Sequence, residues 1–385
     1  MGRDQGGDSI HHCWIFARYD WIGITEVSMK NLVIGLGVSG MAALRWLLDR
    51  GEQVVAVDRS EFDGPFDFDR VVVSPGVPPQ HPLYARAVAL GIPVVGEAEL
   101  ALSVCSQSCI GITGTNGKST TVMQITHILN YCGKRAVAAG NIGKPIIEVV
   151  GGDEILVVEL SSYQLETMHT AVFDAAAILN ISPDHLERHG SMEAYSAAKW
   201  RIRDLVKKGG LFLEGLDNNL EYVRAITRHF GVSDDEYEMA LACFVGLPHR
   251  VEKFKEVEGI SFYNDSKGTN VAATIYAVNK IEAPIILLAG GVDKGSSYRE
   301  WLEPFSGKVK EVILFGEAAG KIASDLAGFV KTRQVDGLEM ATEVAWGLAV
   351  PGDAIVLSPG CSSFDQFKNF EERGTLFKQF VEEIT

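Results

Sequence analysis

The chain has 385 residues and a formal net charge of −15, with 46% hydrophobic and 22% charged residues. These values are typical of a soluble globular protein with two or three domains. The acidic balance argues against nucleic-acid binding, because neutralising phosphates requires a basic face. No apolar run approaches the roughly 20 residues of a membrane span, so we expect no membrane insertion. The six cysteines show no C-x-x-C or metal spacing, which favours free thiols and a cytoplasmic location.

Residues 1–28 lack the features of a folded segment or a targeting signal. They show no hydrophobic periodicity and no charged segment followed by an apolar one, so we expect an extension outside the fold. From residue 29 short apolar strands alternate with amphipathic helices, which predicts an α/β protein of three domains. We expect a Rossmann-like block at 29–97, a phosphate-loop ATPase-like block at 98–247 and a second Rossmann-like block at 248–385.

The first block opens on a glycine turn between a strand and a helix. Strand 32–34 leads into G-x-G-x-x-G at residues 35–40, and Asp58 follows the next strand. This pattern is typical of a nucleotide-binding turn. A dinucleotide such as NAD, a nucleotide-sugar diphosphate and a purely structural turn all remain possible. The shortness of the block and the cation at Arg59 favour the nucleotide sugar.

A second glycine-rich turn predicts a nucleoside triphosphate site. An apolar strand runs into Gly-Thr-Asn-Gly-Lys-Ser-Thr at residues 114–120, and an apolar-periodic helix follows. Converging backbone N–H groups and the helix N-terminus suit an anion. Lys118 is placed to reach the terminal phosphates, and the Ser119 hydroxyl can bind Mg²⁺. Ile112 stands where the usual pattern has glycine, so this loop is a variant of that pattern.

Polar side chains also follow later strands of the second block. Glu159 ends the predicted strand 155–158, which is a suitable place for a Mg²⁺ ligand beside a phosphate loop. His185 follows the predicted strand 175–181, and both a metal ligand and a hydrogen-bonded core histidine remain possible. Lys199 lies on a predicted helix over 192–206, where a lone lysine is usually solvated.

The third block contributes cations at its strand-to-helix turns, namely Arg250, Lys267 and Lys294. Polar residues at the carboxyl ends of strands are where open α/β sheets bind ligands. These cations therefore suit an anionic substrate or the γ-phosphate of the triphosphate. Two nucleotide-type blocks and an acceptor block favour ATP-driven joining, although phosphorylation of an acceptor without joining also fits the composition.

Taken together, the motifs resemble the Mur ligase family, ATP-dependent amino-acid ligases of peptidoglycan precursor synthesis. The resemblance covers the chain from about residue 29 to its C-terminus and implies the three-domain fold. The motifs that carry it are 114–120, 140–143, 159–165, Asp184-His185, Ala198-Lys199, His249-Arg250, 264–270 and 363–370. The last two imply that the amino acid is D-glutamate.

The resemblance implies a reaction and its participants. ATP would phosphorylate the carboxylate of UDP-N-acetylmuramoyl-L-alanine, and the amine of D-glutamate would capture the acyl phosphate. The implied cofactors are ATP, two Mg²⁺ ions and a carbamylated lysine. The implied catalytic residues are Lys118, Glu159, His185, Lys199 and Lys294. The implied metal ligands are Ser119, Glu159, His185 and Lys199 as its carbamate.

We expect the protein to act as a monomer. The resemblance also implies three groups of binding residues. The implied ATP-binding residues are Gly114, Thr115, Asn116, Gly117, Lys118, Ser119, Thr120, Asn218, Arg250 and Asp265. The implied contacts to the UDP-sugar substrate are Val38, Ser39, Asp58, Arg59, Gly76, Asn141, Ser161 and Gln164. The implied D-glutamate residues are Lys267, Thr269, Lys294, Ser363 and Phe370.

Two features depart from the family pattern. The chain between Lys199 and His249 is shorter than is typical, so the central block is shortened. The adenine-side motif Gly-x-His-Asn-x-x-Asn corresponds to residues 215–221, where Asp217 replaces the histidine and Glu221 the second asparagine. The shortened central block motivates one alternative hypothesis, a weakened nucleotide-binding regulatory protein. Another ligase of this fold, such as a folylpolyglutamate-type enzyme, is a second alternative, although the UDP-type first block argues against it.

Overall fold

A computed structural model describes residues 28–58 and 60–384. Arg59 and the expected N-terminal extension, apart from Ser28, lie outside the described residues. The described chain groups into two compact units. The first unit comprises the described residues up to Thr113, Thr121–Ile178 and Ala197–Ala240, and the second comprises Gly114–Thr120, Leu179–Ser196 and the residues from Leu241 onward.

The first unit begins with a small parallel sheet. Its strands are β1 (Lys30–Ile34), β2 (Gln53–Val57), β3 (Arg70–Val73) and β4 (Val94–Gly96), and its helices are α1 (Val38–Asp49), α2 (Pro82–Ala89) and α3 (Glu97–Leu102). The strand order is β2-β1-β3-β4. Leu32 of the inner strand β1 lies beside Val55 and Val71 of its two neighbours. The glycine turn therefore leaves the carboxyl end of an inner strand, where ligands bind in such sheets.

The first unit also contains the parallel sheet of the central region. Its strands are β5 (Cys109–Thr113), β6 (Ala136–Gly140), β7 (Ile155–Glu159), β8 (Phe173–Ile178) and β9 (Val206–Leu213). The helices of this stretch of chain are α4 (Lys118–Tyr131), α5 (Ser162–Leu165), α6 (Leu186–His189), α7 (Met192–Trp200), α8 (Asn219–His229) and α9 (Asp234–Ala242). The strand order is β6-β7-β5-β8-β9. Every residue of β5 is buried, as expected of a parallel strand covered on both faces.

The second unit contains a mixed sheet. Its strands are β10 (Glu252–Val257), β11 (Ile260–Asn264), β12 (Ile285–Gly290), β13 (Val309–Phe315), β14 (Lys331–Gln334) and β15 (Ala354–Leu357). The helices that accompany them are α10 (Val271–Lys280), α11 (Leu302–Phe305), α12 (Ala319–Leu326), α13 (Leu338–Leu348) and α14 (Phe370–Ile384). The order is β10-β11-β15-β12-β13-β14, and β10 is antiparallel to β11 while the other pairs are parallel.

The mixed sheet has a hydrophobic core on each face. Along β12, Ile285 and Leu287 belong to one cluster of buried side chains, whereas Ile286 and Leu288 belong to the other. Successive side chains of a strand point to opposite faces, so a continuous apolar run supplies both cores. No helix within residues 28–58 and 60–384 is long and apolar enough to cross a membrane.

The structure confirms the predicted α/β class and corrects two element boundaries. The helix predicted over 192–206 ends at Trp200, and the 3₁₀ turn Arg201–Leu205 leads into β9. The Arg201 guanidinium holds this turn by donating to the carbonyls of Leu165 and Met168.

The strand predicted over 175–181 ends at Ile178. It stops there because Asn180 uses its backbone carbonyl and its side chain to accept N–H groups of the phosphate loop, at Thr115 and Asn116. Those polar groups are then no longer available to continue a strand ladder.

Candidate active site

The glycine turn after β1 borders a cleft of about 390 Å³. The cleft is lined by Gly35, Gly37, Val38, Ser39, Asp58, Ser74, Pro75, Gly76 and Val77. Asp58 Oδ1 accepts the backbone N–H of Leu36 at 2.9 Å, and Ser74 Oγ donates to the carbonyl of Gly35 at 2.7 Å. Gly35 has φ of +85°, a conformation that favours glycine. The structure thus brings together four of the residues expected at the UDP-sugar site, Val38, Ser39, Asp58 and Gly76, while Arg59 lies outside the described residues.

The phosphate loop has the backbone conformation that its glycines suggest. Gly114 and Gly117 have φ of +148° and +85°, which only glycine adopts readily. Thr115 donates its N–H to Asn180 O at 2.8 Å, and Lys118 Nζ donates to the carbonyl of Thr115 at 2.9 Å. The loop is therefore held in shape by its own lysine and by the segment after β8.

Two cations from the third block reach the hydroxyl of Ser119. Arg250 Nη2 donates to Ser119 Oγ at 2.9 Å, and Lys267 Nζ donates to the same oxygen at 3.1 Å. Ser119 is only 1% exposed. These cations lie where the negative charge of a bound triphosphate is expected, and neutralising that charge is the main task in phosphoryl transfer.

A strained turn presents Arg250 to the loop. His249 and Val251, on either side of it, have φ of +60° and +44°, and a β-branched residue is rarely found there. Asp265 holds the turn by accepting the Val251 N–H at 3.1 Å and the Ser358 hydroxyl at 2.7 Å. Burial raises the pKa of Asp265 to about 7, although these hydrogen bonds oppose the shift. Asp265, expected among the ATP-binding residues, thus faces inward and supports Arg250.

Asp184 gathers residues from distant parts of the second unit. Lys294 Nζ lies 3.2 Å from its Oδ1, and Asn270 Nδ2 donates to its Oδ2 at 3.2 Å. Burial would raise the pKa of Asp184, but the charges of Lys294 and His185 outweigh it and the pKa is lowered. Lys294, expected to pair with a substrate carboxylate, here pairs with a protein carboxylate.

His185 adopts a left-handed backbone conformation, with φ of +54°. Burial is the largest cause that lowers the pKa of its ring, and the Lys294 ammonium acts in the same direction against the attraction of Asp184. The ring is consequently neutral near pH 7, which is the form that can bind a metal ion.

The residues expected at the D-glutamate site fall on two loops and a helix start. Lys267 lies over the ring of Phe370, with Nζ 4.8 Å from the ring centroid. Thr269 donates its N–H to the carbonyl of Lys267 at 2.9 Å. Ser363, on the loop after β15, is 3% exposed, and its carbonyl accepts the N–H of Phe367 at 2.9 Å.

The first unit places Glu159 at the carboxyl end of β7, 1% exposed. Asn141 Nδ2 donates to Glu159 Oε1 at 2.9 Å, so two expected site residues are in contact. Ser161 and Gln164 instead form a reciprocal cap on α5. Lys199, on α7, is 2% exposed. The general expectation that a lone lysine on a helix is solvated is therefore wrong for Lys199.

Sequence reasoning missed two buried glutamates on α3. Glu97 Oε1 accepts the N–H of Ile147 at 2.7 Å, just after the Gly-Asn-Ile-Gly loop at 140–143. Glu99 accepts the N–H of His169 at 2.8 Å and the hydroxyl of Thr170 at 2.7 Å. A signal was available in the segment Glu-Ala-Glu-Leu-Ala-Leu, where two carboxylates interrupt an otherwise apolar run. Buried carboxylates require hydrogen-bond partners, so their presence there indicates specific contacts.

Asn218, expected to contact ATP, caps α8. Its Oδ1 accepts the N–H groups of Leu220 and Glu221 at 3.0 and 3.2 Å, and its Nδ2 donates to Glu221 Oε1 at 2.8 Å. The glutamate that replaces the family asparagine is thus one of its partners.

Two of the expected metal ligands are oxygen donors, which suit magnesium. Within the described parts of the chain, no group of three or more His, Cys, Asp or Glu side chains forms a metal site by itself. However, the Ser119 hydroxyl and the Glu159 carboxylate are buried oxygen donors, and Mg²⁺ prefers oxygen ligands together with substrate phosphates. Each of these two donors, taken by itself, is therefore of the kind that Mg²⁺ binds.

Two family models match the chain. The Mur ligase middle domain matches residues 112–240, and the Mur ligase, glutamate ligase domain matches residues 249–361. A relative from Protochlamydia amoebophila, named UDP-N-acetylmuramoylalanine–D-glutamate ligase, is 39% identical and covers 91% of this chain and 97% of its own length. A relative of the same name from Caldicellulosiruptor bescii is 36% identical and covers 93% and 99%. The first match spans 432 residues, more than this chain contains, so that relative has segments without a counterpart here.

Solved structures show the same fold at lower identity. UDP-N-acetylmuramate–alanine ligase from Thermotoga maritima has a TM-score of 0.58 at 18% identity, covering 93% of this chain and 100% of its own. MurF ligase from the same organism, in complex with ADP, has a TM-score of 0.59 at 16% identity, covering 94% and 97%. The family models, the close relatives and the shared fold together show that this chain belongs to the Mur ligase family.

Proposed function

We propose that the protein joins D-glutamate to UDP-N-acetylmuramoyl-L-alanine in peptidoglycan precursor synthesis. The γ-phosphoryl group of ATP passes to a carboxylate oxygen of the nucleotide-sugar substrate, which forms an acyl phosphate and ADP. The amine of D-glutamate then attacks the acyl carbon, and the tetrahedral intermediate expels inorganic phosphate. An amide bond forms and the attacking amine loses a proton.

The observation that carries this proposal is the pair of cations on Ser119. Arg250 and Lys267 both donate to its hydroxyl, which places two positive charges at the end of a phosphate loop. In phosphoryl transfer the protein contributes positioning and charge neutralisation rather than covalent chemistry. Lys118 contributes a further charge from within the loop. Asp265 contributes indirectly, because it supports the turn that carries Arg250.

Lys294 supports an anionic amino acid as the acceptor. Its ammonium already binds a carboxylate, that of Asp184, at 3.2 Å, and it is 17% exposed. A substrate carboxylate can compete for the same ammonium as a charge-assisted hydrogen-bond partner. Lys267, Thr269, Ser363 and Phe370 complete the proposed D-glutamate site.

The nucleotide-sugar substrate is proposed to occupy the cleft beside the first glycine turn. The cleft offers backbone N–H groups and the start of α1 to a diphosphate, with Asp58 and Gly76 on its walls. Asn141, Ser161 and Gln164 are proposed for the muramoyl-alanine part. The relatives' shared name supports this substrate.

Ser119, Glu159, His185 and Lys199 are proposed as the metal ligands, with Lys199 carbamylated. Bound Mg²⁺ would supply neutralisation of the phosphate charge. The Lys199 amine is buried, with the residue only 2% exposed. A carbamate on that amine replaces the cation by oxygen ligands. We also expect a monomer that acts in the cytoplasm, where ATP is available.

Phosphate release tests the proposal. The purified protein is given ATP, UDP-N-acetylmuramoyl-L-alanine and one amino acid at a time from a panel that includes D-glutamate, L-glutamate, L-alanine and a diamino acid. We expect release of phosphate with D-glutamate only, together with formation of the amide product. Turnover with a different amino acid would contradict the assigned substrate.

A nucleotide-binding regulatory protein is the second candidate function. The observation that favours it is that Asn218 of the altered adenine-side motif already has partners within the protein. It caps α8 and donates to Glu221, the residue that replaces the second asparagine of the motif. This candidate predicts ATP binding, measured by calorimetry, with no phosphate release for any amino acid of the panel.

A further inference from the structure

Arg373 is a fully buried arginine to which the mechanism above gives no role. It lies in the first turn of α14 and is 0% exposed. Its guanidinium donates to the hydroxyl of Ser266 at 3.0 Å and to the carbonyl of Ser266 at 2.8 Å. It also donates to the carbonyl of Cys361 at 3.3 Å from each terminal nitrogen, and to the carbonyl of Ser362 at 3.4 Å. One side chain thus binds two loops that are distant in sequence.

These two loops carry the proposed D-glutamate residues. Ser266 stands between the strand β11 and Lys267, and Thr269 follows on the same loop. Cys361 and Ser362 directly precede Ser363. Ser266 Oγ in turn donates to the carbonyl of Phe370 at 2.8 Å. The guanidinium therefore connects both loops with the start of the helix that bears Phe370.

The hydrogen bonds of Arg373 are made to neutral acceptors. Within residues 28–58 and 60–384 its guanidinium forms no ion pair, and its partners are carbonyl groups and one hydroxyl. Burial lowers the pKa of Arg373 to about 10, so the group is still charged at neutral pH. Burying a charge without an ion-pair partner is costly. An apolar side chain would fill the same space without that cost, so the hydrogen-bonding geometry of the guanidinium is the feature that distinguishes this position.

We propose that Arg373 is a positioning residue for the amino-acid substrate, because its planar guanidinium sets the spacing between the Ser266–Thr269 loop and the Cys361–Ser363 loop. Lysine cannot replace it, since a single ammonium lacks the fixed fork of donors that spans both loops. The inference rests on the proposed function, in that it takes these loops to form the amino-acid site. It assigns to Arg373 no contact with the substrate.

The test compares Arg373→Lys with a control in the same sheet. Asp353→Asn weakens a buried contact, because Asp353 accepts from Lys310 at 2.6 Å and from the N–H of Val350 at 2.9 Å. Asp353 precedes β15, at the opposite end of that strand from Cys361. Both variants are expected to lower the melting temperature, but only Arg373→Lys alters the two loops.

Steady-state kinetics gives the first readout. In Arg373→Lys the KM for the amino acid is expected to rise about tenfold or more, because small displacements of binding groups have effects of this size. The KM values for ATP and the nucleotide-sugar substrate are expected to change less than about threefold. Asp353→Asn is expected to leave all three KM values near those of the wild type. Equal rises for all three substrates in Arg373→Lys, or an unchanged amino-acid KM, would overturn the proposal.

Hydrogen exchange gives a readout that requires no turnover. Arg373→Lys is expected to increase exchange in peptides that cover 264–270 and 358–366, and Asp353→Asn is not. A milder variant, Ser266→Ala, removes one acceptor of Arg373 and is expected to act in the same direction with a smaller effect. Unchanged exchange in both loops for both variants would overturn the proposal even if the enzyme were inactive.

The two proposals fail in different ways. If the wild type uses an amino acid other than D-glutamate, the proposed substrate is wrong, and the KM comparison is made with the amino acid that it does use. If the wild type uses D-glutamate and Arg373→Lys has no selective effect on its KM, the proposed function stands and the role of Arg373 is rejected.

Discussion

The two glycine turns of this protein share a local pattern and differ in what surrounds them. Each follows an inner strand of a parallel sheet and leads into a helix, at residues 35–40 and 114–120. The first borders an open cleft in which Val38 is 77% exposed. In the second, Ser119 is only 1% exposed and accepts hydrogen bonds from two cations. The comparison teaches that a glycine turn specifies a place for an anion, while the residues around it decide whether the site binds a ligand or also activates it.

The largest effect is expected from removing the lysine of the second turn. Lys118→Ala should lower kcat by about 10²- to 10³-fold, the cost typical of losing one electrostatic contact to a transition state. The assay is phosphate release at saturating substrates. Lys208→Ala, an exposed lysine on β9, is the control and should retain wild-type kcat. A small change in Lys118→Ala would mean that the second turn binds without activating.

The proposed carbamate on Lys199 tests the same difference between binding and activation. It would supply an anionic ligand for the metal ion that accompanies ATP, and the first turn has no such requirement. Lys199→Ala should lose activity by about 10²-fold or more, and added short carboxylic acids should restore part of it. Acetate, formate and chloride are compared at equal ionic strength. If the carboxylic acids do no better than chloride, the carbamate is not required.

Alanine substitutions in the first turn should destabilise the protein according to the space around each glycine. A Cβ added at Gly40 would overlap the carbonyl oxygen of Gly35, whereas one added at Gly37 would meet no atom within 4 Å. Gly40→Ala is therefore expected to cost about 1–3 kcal/mol of unfolding free energy, and Gly37→Ala less than about 1 kcal/mol. Chemical denaturation measures both. Equal losses would show that the close packing of α1 on the turn does not matter.

The last effect concerns the pH dependence of stability at Glu97. Burial raises its pKa from 4.5 to about 7, and the charge of Glu148 adds to the shift. Between those values the unfolded chain has released the proton that the folded chain retains. Stability should therefore fall as pH rises from 4.5 to 7, by at most about 1.4 kcal/mol per pH unit. The comparison is between wild type and Glu97→Gln.

Glu97→Gln should lack this contribution while its side-chain oxygen still accepts the N–H of Ile147. Its unfolding free energy should therefore exceed that of the wild type by more at pH 7 than at pH 5. Parallel pH profiles for the two proteins would contradict a raised pKa.

Several features could be predicted from residues that are close together in the sequence. The strand, glycines and Lys-Ser pair at 109–121 predict the phosphate loop, and the structure gives Gly114 and Gly117 the positive φ that this requires. The apolar runs at 285–289 and 354–357 predict strands that the structure confirms. Boundaries were less predictable where polar partners intervene, as at Asn180, whose hydrogen bonds to the phosphate loop end β8 early.

The sequence by itself determined the series of α/β blocks and the family to which they belong. Hydrophobic periodicity, glycine turns and short motifs reveal these features because each reflects a backbone requirement over a few neighbouring residues. The tertiary structure alone decided which side chains meet. Arg250 reaches a hydroxyl 131 positions away, Lys294 pairs with an aspartate 110 positions away, and Asp265 turns inward. Such contacts depend on the order of strands in a sheet and on burial, and no local pattern encodes either.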